Sequence, residues 1–110
     1  MEKVLSVGSD RELLKLRHAV LESVGFRVHT AQGEADALRE IQNGDYGALV
    51  VCYSLDLETR RRLVESFRIC SPHGRVVSIS NKQPDQPYFG DVIVYGLDGP
   101  EVLIQAVRGK

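Results

Sequence analysis

Residues 47–53 read GALVVCY, an apolar run in which polar and apolar positions do not alternate. A strand with one wet face repeats with period two, so an unbroken run of this length marks a strand covered on both faces. In a chain of 110 residues the cover must come from amphipathic helices packed on either side of a parallel sheet, with this run in the middle of that sheet.

The flanking sequence supplies such helices. Residues 3–7 (KVLSV) are a short β-rich run, and Gly8-Ser9-Asp10 leads from it to apolar positions at Leu13, Leu16, Val20 and Val24. Spacings of three and four make this a strand feeding an amphipathic helix. Ser9 with Glu12 fits a capping box, and Gly25 ends the helix. Residues 26–30 (FRVHT) form the second strand, and Ala35, Leu38 and Ile41 mark one face of a second helix stopped by Asn43-Gly44. Leu57, Leu63, Val64 and Phe67 give a third helix its buried stripe, with Arg60, Arg61, Arg62, Glu65 and Arg68 mostly off it, before the turn Ser71-Pro72-His73-Gly74.

Residues 75–80 (RVVSIS) and 91–95 (DVIVY) are the fourth and fifth strands. Val102, Leu103, Ala106 and Val107 form a last helix opened near Gly99-Pro100-Glu101, where proline is tolerated. Between these strands, residues 81–90 (NKQPDQPYFG) carry two prolines, so the helix expected there is shortened or missing. The pattern predicts one α/β domain over 1–110: a doubly wound, five-stranded parallel sheet whose functional edge lies at the strand carboxyl ends.

Charge narrows the partners. Fourteen Lys and Arg stand against 15 Asp and Glu, a formal net charge of -1, which gives no general field for nucleic acid or an anionic membrane. No apolar run approaches the roughly 20 residues that span a bilayer, and the start MEKVLSVGSD lacks the apolar core of a signal peptide. A cytoplasmic protein is expected, with Cys52 and Cys70 as reduced thiols.

Several residues invite a chemical reading. Cys52 falls at the carboxyl end of the central strand, where α/β sites lie, yet it has no neighbouring Lys, Arg or His in sequence, and packing is the expected role. His18, His29 and His73 are scattered over a helix, a strand and a turn and give no converging metal ligands. Gly8-Ser9-Asp10 opens a helix as phosphate-binding loops do, without the further glycines or lysine of a nucleotide motif. Arg60-Arg61-Arg62 reads as a solvated face or as a contact for an acidic partner. Tyr88 and Phe89, near Tyr95, form a candidate aromatic patch or else cover the sheet where the helix is lacking.

Taken in order, VLSVGSDRELLKLRHAVLESVGFRVHTAQGEADAL and YGALVVCYSLDLETRRRLVESFR resemble the strands and helices of response regulator receiver domains, and the resemblance runs over essentially the whole chain. It implies a CheY-like (βα)5 fold. In that family an acidic pair after the first strand and an aspartate ending the third hold Mg²⁺ and accept a phosphoryl group. The matching positions here are Gly8 and Ser9 for the pair and Cys52 for the phosphoacceptor, with Asp10 at the next, less critical position. The switch hydroxyl matches Ser80, the conserved-chemistry lysine matches Tyr95, and the proline after it matches Gly96. In the loop after the acceptor, the family's Pro and Gly are replaced by Asp56 and Arg60.

The resemblance therefore implies a stand-alone, degenerate receiver, with neither metal nor cofactor and not an enzyme, acting in signal transduction through a protein partner or as a homodimer. Tyr88, Phe89, Tyr95, Arg60 and Arg61 are its candidate partner surface. The alternative is a small flavodoxin-like protein that binds an anion or works through Cys52; a displaced phosphoacceptor among Asp10, Ser80 and Asp56 is the third reading.

Overall fold

Each strand of the chain sends alternate side chains to opposite faces, and both faces are apolar. Leu5, Val7, Leu49, Val51 and Val76 enter one core cluster, while Val4, Ala48, Val50, Val77, Ile79 and Val94 enter the other. The structure, a computed structural model, describes residues 2–81 and 90–109. The elements run β1 (Lys3–Gly8), α1 (Arg11–Ser23), β2 (Arg27–Gln32), α2 (Glu34–Asn43), β3 (Ala48–Cys52), α3 (Leu57–Cys70), β4 (Arg75–Ser80), β5 (Val92–Tyr95), a 3-10 turn (Gly96–Asp98) and α4 (Pro100–Arg108). Four α-helices are thus found among the described residues, and residues 82–89, where the sequence argues against a regular helix, lie outside them.

The strands pair in the order β2-β1-β3-β4-β5, all parallel, with β3 in the centre as its apolar run requires. Ala37, Ile41, Leu63, Val64 and Phe67 bring α2 and α3 onto one face, and Leu21, Leu103, Ala106 and Val107 bring α1 and α4 onto the other. The order reverses at β1 and β3, so the crevice between their carboxyl ends is the topological switch point of the sheet.

The start of α1 corrects the capping box expected at Ser9 and Glu12. Asp10 is the N-cap, its Oδ1 accepting from the backbone N–H of Glu12 at 3.0 Å and of Leu13 at 3.2 Å. The Ser9 hydroxyl is committed elsewhere, donating to the Ser54 carbonyl at 2.7 Å. Asp10→Ala is expected to destabilise the fold by about 1 kcal/mol, read as a lower urea midpoint with an unchanged slope. No loss would mean that the carboxylate does not cap the helix.

The buried faces of three helices also differ from the expected stripes. In α1 the side turned to the sheet is Leu14, Arg17 and Leu21, while Leu16 is 62% exposed. In α2, Ala37 and Ile41 are buried and Ala35 is exposed. In α3, Leu57 is 38% exposed and Arg60 is buried at 6% exposure, so Arg60 is not on the solvated face to which its place in an arginine run assigned it. The cause is geometric: residues 57, 60, 64 and 67 share one side of a helix, and Leu57 lies in its first turn, at the edge of the packed layer. Arg61 and Arg62 remain outward. Arg62 spans to α2 through a two-pronged contact with Glu34, Nε to Oε2 at 2.7 Å and Nη2 to Oε1 at 3.0 Å.

Candidate functional site

The carboxyl ends of β1 and β3 meet through their side chains and loops. Ser9, just after β1, donates its backbone N–H to Ser54 Oγ at 2.9 Å and its hydroxyl to the Ser54 carbonyl at 2.7 Å. Gln32 Nε2, at the end of β2, donates to the Ser9 carbonyl at 3.2 Å. Gly8 lies beneath this lock: a Cβ there would stand 3.0 Å from Ser54 Oγ and 3.3 Å from Cys52 Cβ. The parallel register places Cys52 beside Ile79, so Ser80 is one step further along β4, and Ser80 in turn pairs with Tyr95.

Gly8, Ser9, Cys52, Ser80 and Tyr95 therefore gather along one edge of the sheet, as the chain order of the elements requires. Ser80 is fully buried and Tyr95 half-buried. Arg60 and Arg61 lie apart on α3. Arg61 is half-exposed and held by its own helix, Nη2 to Glu58 at 2.6 Å and Nη1 to Glu65 at 3.1 Å. Tyr88 and Phe89 fall outside the described residues.

Nearby carboxylates are turned to backbone work. Asp10 caps α1, and Asp56 caps α3 by accepting from the Thr59 N–H at 2.8 Å. That backbone bond holds the Asp56 carboxyl below the ordinary aspartate range, helped by the Thr59 side chain and the Arg62 and Arg60 charges. Among the described residues no three His, Cys, Asp or Glu side chains converge in a metal-binding group.

Arg17 is the residue that sequence reasoning missed. It is 8% exposed, and its Nη1 donates to Cys52 Sγ at 2.7 Å. Its guanidinium carbon stands 5.9 Å from the centre of the Tyr53 ring, a cation–π arrangement. The contact bridges 35 positions in sequence, which is why inspection of the neighbours of Cys52 found no cation. One signal was available: Arg17 shares a helix face with Leu14 and Leu21, at spacings that put an arginine on the buried side. Ser54 gave no comparable signal, since only folding brings it to Ser9.

Burial separates the two thiols. Cys52 is 1% exposed, whereas Cys70, at the end of α3, is open to solvent. A bulky aromatic disulfide reagent is expected to label Cys70 rapidly in the native protein and Cys52 only as fast as the chain unfolds. Equal rates, followed by absorbance and intact mass, would contradict this burial.

No family model matches the sequence, and no curated protein matches it. Solved structures do match in shape. Vibrio cholerae chemotaxis protein CheY4 superposes with a TM-score of 0.87 at 16% identity, over 99% of this chain and 98% of that one. A CheY-like response regulator receiver domain protein from Methanospirillum hungatei gives 0.85 at 18% identity over 99% and 92%. The Thermotoga maritima response regulator TrrA, in complex with Mg²⁺ and BeF, gives 0.86 at 15% identity over 99% and 98%. The chain has the CheY-like receiver fold. In that fold the Gly8, Ser9 and Cys52 edge is the crevice at the switch point, and no helix among the described residues is long and apolar enough to cross a membrane.

Proposed function

We propose that this receiver-like domain acts in signal transduction by binding a protein partner, without phosphorylation of an aspartate. The observation that carries the reading is the state of the β1–β3 crevice: glycine, serine and cysteine stand there, and Ser9 is locked to Ser54 through both its N–H and its hydroxyl. A magnesium ion takes about six hard oxygen ligands in near-octahedral order. The donor set at this edge does not fit one, because Asp10 is turned back to its helix, Gly8 offers no side chain and the Cys52 sulfur is soft and held by Arg17. Loss of the phosphoacceptor leaves the scaffold and its surfaces as what the domain contributes. Tyr95, half-buried at the end of β5, remains a candidate contact for that partner.

Incubation with acetyl phosphate and Mg²⁺ tests this directly, with a phosphorylatable receiver as control. Intact mass should show the control modified and this chain unmodified. A phosphoryl adduct would overturn the reading: one that hydroxylamine removes would be an acyl phosphate, as on Asp10 or Asp56, and one stable to it a phosphoester, as on Ser80. The Arg17 to Cys52 contact favours a second reading, a thiol-based sensor, because it sets a hydrogen-bond donor on a sulfur at the strand carboxyl ends, where α/β sites lie. Its discriminating result is rapid labelling of Cys52 in the folded protein.

A further inference from the structure

A groove of about 440 Å³ runs between α1 and α4 on the side of the sheet away from α2 and α3. Its walls include Leu13, Leu16 and Val20 of α1 and Leu103 of α4, with Tyr53 and Tyr95 toward the strand ends. Leu16 stands 62% exposed on the rim, a large apolar side chain with no packing role in the sheet. Arg17 is the one charged residue among the described lining residues.

The state of Arg17 says what the groove suits. A guanidinium carries five N–H donors in a planar fork and, when buried, is costly without an anion. Arg17 has one hydrogen bond, from Nη1 to the Cys52 sulfur, and a tyrosine ring; no carboxylate among the described residues reaches it. Its Nε and Nη2 make no hydrogen bond among the described residues, and they are not among the buried polar atoms sealed from solvent without a partner. Both therefore keep some exposure to solvent, and Arg17 lines the groove. A desolvated cation with open donors next to an apolar cleft has the two halves of a site for an amphipathic anion.

We propose that the α1–α4 groove binds a small carboxylate with an apolar body, its two oxygens on the Arg17 guanidinium and its tail between Leu13, Leu16, Val20 and Leu103. One planar cation matches a monoanionic carboxylate, whereas a phosphate dianion would call for a second cation, and among the described lining residues Arg17 is the one charged group. The groove adjoins the crevice at Gly8, Ser9 and Cys52 through Arg17, which touches the Cys52 sulfur and lines the groove, and its carboxylate is a ligand other than a phosphoryl group.

Amide NMR titrations with octanoate, octanol and octylamine, each kept below its micelle concentration, test the proposal. Octanoate is expected to give saturable shifts in α1, β5 and α4, with octanol and octylamine at least about tenfold weaker. Arg17→Gln should abolish that preference. In case this buried substitution disturbs folding, Leu16→Glu and Leu16→Lys at the exposed rim provide the same readout: the acidic variant should weaken octanoate binding and the basic one preserve it. The proposal fails if octanoate produces no saturable shifts in the groove, if octanol binds as well as octanoate, or if the two Leu16 variants bind octanoate alike.

Discussion

Phe67→Ala is expected to lower the unfolding free energy by about 4 kcal/mol, in the range for a buried aromatic replaced by alanine. The ring sits on α3 at 1% exposure, in the cluster that joins that helix to β1, β3 and β4. It is closed in from the chain that follows, since a Cβ on Gly74 would lie 2.6 Å from Phe67 Cζ. With the sheet on one side and this turn on another, the site has little freedom to collapse, so the cavity term adds to the lost burial. For a domain stable by about 5–15 kcal/mol, that is a large fraction of the total. Urea unfolding should show a lower midpoint and an unchanged slope. A cost below about 1 kcal/mol would place Phe67 outside the core.

Asp91→Ala is expected to cost about 2 kcal/mol at neutral pH, the penalty of stranding a buried donor. Asp91 lies just before β5 and is tied to β4 twice: its Oδ2 accepts from the Val76 N–H at 2.8 Å, and its own N–H donates to the Val76 carbonyl at 2.8 Å. Val76 is fully buried, so no water replaces the lost carboxylate at its N–H. Arg68 adds an outer contact to Asp91 Oδ1 at 3.2 Å, half-exposed and worth little by itself.

The same residue gives a pH dependence with a definite sign. Burial pushes the Asp91 carboxyl upward, but the Val76 bond and the Arg68 and Arg75 charges outweigh it and hold the group below the ordinary aspartate range. A carboxyl lowered in the folded state contributes stability above its unfolded pKa, and that contribution is lost as pH falls through the folded value. The gap between wild type and Asp91→Ala should therefore narrow as pH falls below about 4, toward the gap between Asp91→Asn and Asp91→Ala, because a protonated carboxyl still offers its carbonyl to Val76. Asp91→Asn, which keeps an acceptor for Val76, should cost less and vary less with pH. A constant gap between wild type and Asp91→Ala from neutral to acid would contradict the role of the ionised group.

The strands were legible in the sequence because both faces of the sheet are covered, and residues such as 47–53 must then be apolar throughout. Helix faces were less so, and in α1 and α3 the reason is that arginine counts as a solvent residue in a hydropathy pattern. Arg17 and Arg60 both occupy buried positions, and counting Arg17 as polar rotates the expected stripe of α1 toward Leu16. The cap of α1 shifted by one residue because a Ser–Glu spacing matches a capping box whether or not the hydroxyl is free. Here Ser54 claims it from 45 positions away. Gly8, Ser9 and Cys52 could be placed at one edge from strand order alone, but the Ser9–Ser54 lock and the Arg17–Cys52 contact are tertiary and left no local trace.

The central claim, a receiver fold whose β1–β3 crevice no longer performs phosphoryl chemistry, is tested most directly by amide NMR of the folded protein titrated with Mg²⁺ and then with beryllofluoride. The account predicts no saturable shifts at Gly8, Ser9, Cys52 or Ser80. Saturable shifts there that spread to Tyr95 and α4 would contradict it and return the domain to the phosphate-switched regulators.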